Sequence, residues 1–215
     1  MHEKCLFAGL WSDIPAQPAS IRSLLVRGET KVHELPDIPT SDQLVTRYGL
    51  QPHPEGGFYR RIWCSSGRIA AQALPACYHG ERPWSTSILF LLRAGECSRL
   101  HRLHSDEIWH FLLGGPLRLA VIHPDGSGED CLLGQDLLAG QELVHVVSGG
   151  CWFGAMPCPG TTYALVGCTV APGFDFADFE LAPNAAGIRH SLPRCDAAAS
   201  RILDDFFPLS CAAGA

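Results

Sequence analysis

The chain has 215 residues, 47% of them apolar and 18% charged, enough to bury one domain core without disulfide or metal staples. Its formal net charge of −6 and scattered arginines exclude the concentrated basic face that nucleic acid requires, and no apolar run reaches membrane-spanning length. The 22 glycines and 16 prolines are more turn formers than a helical bundle tolerates, which points to a turn-rich, largely β protein.

Residues 1–39 carry Pro15, Pro18, Pro36 and Pro39 and read as an N-terminal extension whose short apolar run, SLLVRG, could add a strand. PTSDQLVTRYGL predicts a short helix capped by Thr40 or Ser41 and ended by Gly49, with Leu44, Val45 and Tyr48 at helical spacing. The pattern then changes to strand-length runs bounded by Gly, Pro, Ser or Asp: GFYRRIW, SILFLLR, EIWHFLL, LRLAVIH, LVHVV, CWFGAM and YALVGCTV. No convincing helix separates them, so a sandwich, jelly roll or barrel is expected rather than an alternating β/α fold. Asp125 and Gly126 in HPDGSGED signal a hairpin. PGFDFADFEL predicts a final strand that seals the barrel end, with an Asp able to reach the mouth. PRCDAAASRILDDFFPLS predicts a single docked helix, capped by Asp196, before a frayed tail. The expected organisation is an extension over 1–39, a core domain over 40–182 and a helical tail over 183–215.

Ten cysteines occur without any CxxC, and the first twenty residues lack the continuous apolar core of a secretory signal. Reduced thiols in a cytosolic protein are therefore expected. Cys64, Cys77, Cys97, Cys131, Cys151, Cys158 and Cys168 read mostly as small buried hydrophobes.

The chemistry concentrates in GECSRLHRLHSDEIWHFLLGG, residues 95–115. Imidazole and carboxylate are common metal ligands, but strand geometry sends alternate side chains to opposite faces. His101 therefore shares a face with Leu103 and, if the turn at Ser105 and Asp106 keeps the alternation, with Glu107, Trp109 and Phe111. His104 and His110 fall on the other face. A buried His101 and Glu107 would form either a proton-transfer pair or a mutually satisfied polar pair.

In QPHPEGG, His53 and Glu55 stand between prolines and glycines, where the backbone could fold against a ligand or simply make a tight entry turn. Arg60 is the candidate for an anionic group because guanidinium grips oxyanions in a fork, and alternation puts Tyr59 on the opposite face. Trp109, Trp152 and Phe153 could form an apolar wall for a flat ring or sugar face.

These segments carry a resemblance. GECSRLHRLHSDEIWHFLLG resembles the first cupin motif, with Gly95, His101, Glu107 and Gly114 at its intervals and Leu103 where metal-binding members have a second histidine. HVVSGGCWFGA resembles the second motif, with Ser148 in place of proline and Phe153 in place of the histidine ligand. Over about residues 42–182, LQPHPEGGFYRRIW, HRLHSDEIWHFLLGGPL and CTVAPGFDFADFEL resemble the single-domain cupins of the cupin 5 type, marked by PHPEGG and SDExWH. The resemblance implies an all-β, double-stranded β-helix: a jelly-roll barrel with a pocket at one mouth, a few short peripheral helices and homodimeric assembly.

Relatives with this barrel include metal-free sugar-nucleotide epimerases that use a histidine base and a tyrosine acid, an analogy of fold. The expected function is binding of a small polar, sugar-like or carboxylated molecule, with isomerase or epimerase chemistry through His101 and Glu107. His53, Glu55, Arg60, Trp109 and Phe153 are the expected ligand contacts, and no cofactor is expected. Two alternatives stay open. One is a metal-dependent oxygenase or isomerase, its divalent ion held by His101 and Glu107 with a replacement such as His145 or water. The other is a small-molecule binding protein without catalysis.

Overall fold

The computed structural model describes residues 38–208, so the strand expected within the N-terminal extension lies outside the described residues. In chain order the elements are α1 (Ser41–Tyr48), β1 (Gln51–Pro52), β2 (Phe58–Cys64), β3 (Arg68–Ile69), β4 (Arg82–Pro83) and β5 (Thr86–Arg93). Next come β6 (Ser98–Leu103), β7 (Asp106–Gly114), β8 (Leu117–Ile122), β9 (Gly128–Leu133) and β10 (Val144–Val147). The last are β11 (Trp152–Pro157), β12 (Tyr163–Ala171), β13 (Phe179–Leu181), α2 (Ala185–Ser191) and α3 (Ala197–Phe206).

Two antiparallel sheets face each other. One runs β1-β2-β5-β12-β7-β10 and the other β13-β6-β11-β8-β9, with β3 and β4 as a small separate hairpin. Alternation along each strand sends one set of apolar residues between the sheets, where Phe90, Trp109 and Val166 meet Leu119, Leu133 and Phe153. This is the jelly-roll barrel expected.

The outer faces are covered by helices. α1 starts at Thr40, whose hydroxyl accepts from Gln43 N–H while the Gln43 side chain accepts from Thr40 N–H, and it stops at Gly49 in the left-handed region at φ 58°. It presses Leu44 onto Leu89, Leu91 and Leu165 on the outside of the larger sheet. At the other side α3, capped by Asp196, buries Ile202 and Leu203 against Leu100, Ile122 and Trp152. Fully buried side chains of this size each stabilise the fold by roughly 2–5 kcal/mol against truncation to Ala.

Several expectations need correction. PRCDAAASRILDDFFPLS forms the one helix expected, α3, but ahead of it Asn184 accepts from Gly187 N–H and caps a further helix, α2. GEDCLL, absent from the expected strand runs, forms β9 and pairs with β8 across the expected hairpin at Asp125 and Gly126; its outward residue Asp130 pairs with Arg118 and Arg201. In PGFDFADFEL only Phe179–Leu181 is strand; Phe176–Asp178 makes a single 3₁₀ turn. Of its two aspartates, Asp175 lies at the barrel mouth beside Tyr59, Arg61 and Phe174, whereas the Asp178 carboxylate is buried in a two-pronged pair with Arg82, both contacts at 2.6 Å. Among the cysteines, Cys131, Cys151 and Cys168 are buried as expected, but Cys64 and Cys77 are exposed.

Candidate functional site

One mouth of the barrel holds a cavity of about 40 Å³ whose lining includes His53, Glu55, Tyr59, His101, Glu107 and Trp109. β7 contributes Glu107 and Trp109 because the turn after Leu103 preserves the alternation, so both point inward beside His101 and Leu103. His104 and His110 are absent from the lining, as the alternation requires. β6 adds a feature that alternation alone hides. Its pairing with β11 slips between the Phe153–His101 and Ala155–Ser98 partners, and this irregularity turns Ser98 to the same side as His101.

The PHPEGG segment delivers the remaining polar groups. His53 N–H bonds the Gly57 carbonyl and Gly56 N–H the His53 carbonyl, closing a tight loop. Gly56 sits at φ 119°, where a side chain would also run into the Cys97 carbonyl. The loop thereby lies against β6 and drops Glu55 into the barrel. Ser98 Oγ donates to Glu55 Oε1 at 2.8 Å, while Glu55 Oε2 stands 3.4 Å from both His53 Nδ1 and His101 Nε2. The carboxyl that meets His101 is thus Glu55, which corrects the expectation that His101 and Glu107 pair with each other.

Burial sets the protonation of this cluster. Glu55 is pushed up to about 8 by desolvation, against the opposing Ser98 hydroxyl and Arg99 charge. Glu107 also rises to about 8, first through burial and then through the nearby Glu55 carboxyl. His101 falls to about 4 through burial, opposed by its bond to the Arg99 carbonyl, and His53 falls to about 4 through burial and the neighbouring His101. Between these limits both carboxyls keep their protons and both imidazoles stay neutral. Because a carbonyl can only accept, the 2.8 Å contact of His101 Nδ1 with Arg99 O places the ring proton on Nδ1 and leaves Nε2 with a lone pair.

Glu107 Oε2 and Trp109 Nε1 are buried without a hydrogen-bond partner among the described residues. The indole N–H and the Cys168 thiol stand near enough to the Glu107 carboxyl to oppose its rise, but neither satisfies Oε2. A buried polar atom left unpaired costs roughly 1–3 kcal/mol, so these two atoms mark where a polar ligand would be held.

The model of the Cupin_5 family, described as Cupin superfamily (DUF985), matches residues 42–182. The chain belongs to this family. A Saccharomyces cerevisiae relative, described as uncharacterized protein YML079W, is 26% identical over 165 residues, covering 73% of this chain and 82% of the yeast protein. A hypothetical protein from Leishmania major superposes with a TM-score of 0.66 at 31% identity, over 76% of this chain and 98% of that one. Protein SO0799 from Shewanella oneidensis superposes with a TM-score of 0.62 at 38% identity, over 71% of this chain and 90% of that one.

A metal held inside such a barrel would need three or more imidazole and carboxylate donors around one point. Here Leu103 lines the cavity and Phe153 packs its ring 4.1 Å from the His101 ring, which puts two apolar side chains at the two remaining ligand positions. Among the described residues, the donors of His53, Glu55, His101 and Glu107 do not bring three ligand atoms within 4.8 Å of one another. The cavity residues therefore do not fit a metal cage. His145, the expected replacement ligand, is not part of the cavity; its ring meets Glu142 at 3.2 Å instead.

Arg60 does not line the inner cavity. It lies on the outward face of β2, where Nη1 donates to the Tyr48 carbonyl at 2.7 Å, while Tyr59 and Arg61 on the opposite face line the cavity. Arg60 instead borders a wider vestibule of about 730 Å³ that shares Tyr59, Arg61 and Phe174 with the inner cavity. Phe153 backs His101 without lining the cavity, and Trp152 faces α3 on the other side of its sheet, with Arg102 stacked 4.7 Å over its ring. The aromatic closure comes from Phe174 and Phe179, held by the buried Arg82–Asp178 pair and by Phe174 N–H on Thr86.

Proposed function

We propose that this cupin binds a small hydroxy-carbonyl compound, head inward, and moves a proton on the carbon next to its carbonyl, as an isomerase or epimerase does. The observation that carries the reading is the unpaired Glu107 Oε2 and Trp109 Nε1, buried in a cavity that His101 also lines. An inner space of about 40 Å³ admits a few heavy atoms, so the remainder of the ligand occupies the vestibule. Arg60 and Arg61 border that vestibule and suit a carboxylate or phosphate on the ligand's outer end.

The proton inventory supports the chemistry. A general base must be free and a general acid must be loaded at the same pH. Between about 4 and about 8, His101 is neutral with its Nε2 lone pair available, and Glu107 is protonated. Nε2 takes the proton from the substrate carbon, and the Glu107 hydroxyl donates a hydrogen bond to the carbonyl oxygen as negative charge builds there. Return of the proton to a neighbouring atom or to the opposite face completes the change, with no net oxidation. Glu55, 3.4 Å from Nε2 and itself protonated in this range, orients the ring.

The test is incubation of the full chain in D₂O with dihydroxyacetone phosphate as first probe, then related hydroxy-aldehydes and hydroxy-acids, reading loss of the carbon-bound proton by NMR. Exchange that disappears in His101→Gln and Glu107→Gln supports the proposal. Binding heat without exchange would make the protein a binding module, and exchange abolished by a chelator would restore the metal-dependent alternative.

A further inference from the structure

The barrel has a seam away from this mouth. β10 ends the larger sheet and β9 ends the smaller, and the Leu133–Glu142 bridge ties the chain between these strands to β9. Four polar side chains gather at this seam: Glu129 and Cys131 from β9, Glu142 from the loop before β10, and His145 from β10. His145 Nδ1 lies 3.2 Å from Glu142 Oε2, and Nε2 lies 3.8 Å from Glu129 Oε1. A Cys131 sulfur, a Glu142 oxygen and a His145 nitrogen all fall within 4.8 Å of one another, the one set of three such donors among the described residues.

We propose that Cys131, Glu142 and His145 form a site for a borderline divalent cation, Zn²⁺ first, that clamps the edge of one sheet to the edge of the other. None of the three lines the inner cavity, so the site is separate from the chemistry above. Thiolate, imidazole and carboxylate together select zinc or cobalt over calcium and magnesium, which take oxygen ligands. Donors around a tetrahedral zinc stand about 3.5 Å apart, so the present spread closes with a shift of about 1 Å in side chains alone. The Glu142 side chain has 52% of its surface exposed and can make that shift, while Cys131 is buried at 6% and forms the fixed wall.

The surroundings support the assignment. If Nδ1 of His145 takes the cation, Nε2 faces Glu129, the carboxylate-on-histidine arrangement that orients a metal-bound imidazole. Glu129 is itself held by His123 Nε2 at 3.0 Å. One thiolate and one carboxylate neutralise the dication, and a water completes four-fold coordination. Binding releases the Cys131 thiol proton to solvent, one proton for each cation.

The experiment titrates the full-length, metal-stripped chain with Co²⁺, reading the near-ultraviolet thiolate-to-cobalt charge-transfer band and the visible bands of tetrahedral Co²⁺. The expected result is saturation at one equivalent, displacement by Zn²⁺ and a rise in melting temperature with either ion. Cys131→Ser should abolish the charge-transfer band, His145→Gln should weaken binding at least tenfold, and His101→Gln should change neither. Glu142→Gln alters an exposed side chain and should also weaken binding, which keeps the test available if the Cys131 variant misfolds. Absence of the band in the native chain, its survival in Cys131→Ser, or its loss only in His101→Gln would overturn the proposal.

Discussion

Glu107→Gln is expected to leave the stability of the fold unchanged near pH 4.5 and to raise it progressively toward pH 8. The side chain titrates at about 8 in the fold against an ordinary value of 4.5. Below the lower value the carboxyl is protonated in both folded and unfolded chains, and ionisation contributes nothing to the balance between them. Above it the unfolded chain releases a proton that the fold retains, so the fold loses about 1.4 kcal/mol for each pH unit climbed. At pH 8 the accumulated loss is roughly 5 kcal/mol for this fully buried group, an upper limit because Glu55 titrates in the same range. Gln keeps an oxygen acceptor and a donor in the same shape but has no proton to lose. Urea unfolding followed by tryptophan fluorescence, run on both proteins across this range, measures the difference directly. A constant gap between variant and wild type, or a variant less stable at the alkaline end, would refute the reasoning.

The two histidines act in the opposite sense: lowered from 6.5 to about 4, their contribution is complete above 6.5 and is lost as the pH falls toward 4. Carboxyls and imidazoles should therefore offset each other between 4.5 and 6.5, leaving wild-type stability nearly flat there and falling on either side, which urea midpoints over a pH series will check. Asp178→Asn leaves the Arg82 guanidinium, 2% exposed, without its two-pronged partner, and should cost about 3–5 kcal/mol in the same assay. A cost below about 1 kcal/mol would mean that water reaches Arg82. Gly56→Ala places a side chain at φ 119° against the Cys97 carbonyl; it should destabilise by at least about 1 kcal/mol and flatten the alkaline slope by drawing Glu55 out of the barrel.

The strands were legible because alternation with a buried face leaves its mark on residues such as Trp109 and Phe111, and the same alternation correctly aimed His101, Glu107 and Trp109 inward. The GEDCLL run of β9 escaped because Glu129 and Asp130 interrupt its apolar pattern, and Asp130 is acidic for the sake of Arg118 on the neighbouring strand and Arg201 on α3. The pairing of Glu55 with His101 was illegible for a related reason: it depends on a glycine-permitted loop packing against a strand 43 residues away, as the Ser98–Glu55 bond records. Ser98 itself could be found only through the irregular register of β6 against β11. Alternation offered Tyr59 and Arg60 as mutually exclusive, and charge favoured Arg60; the deciding contact, its bond to the Tyr48 carbonyl at the end of α1, is tertiary. The seam donors Cys131, Glu142 and His145 come from three segments whose spacing forms no sequence motif.

The central claim is that the barrel mouth holds two loaded carboxyls beside two unprotonated imidazoles. A pH titration of the glutamate carboxyl carbons by ¹³C NMR, with Glu55→Gln and Glu107→Gln to assign the signals, tests it without a ligand. The account predicts two resonances that stay in the protonated form until the pH approaches 8. Ionisation of both near the ordinary value of 4.5 would contradict it and remove the general acid from the proposed chemistry.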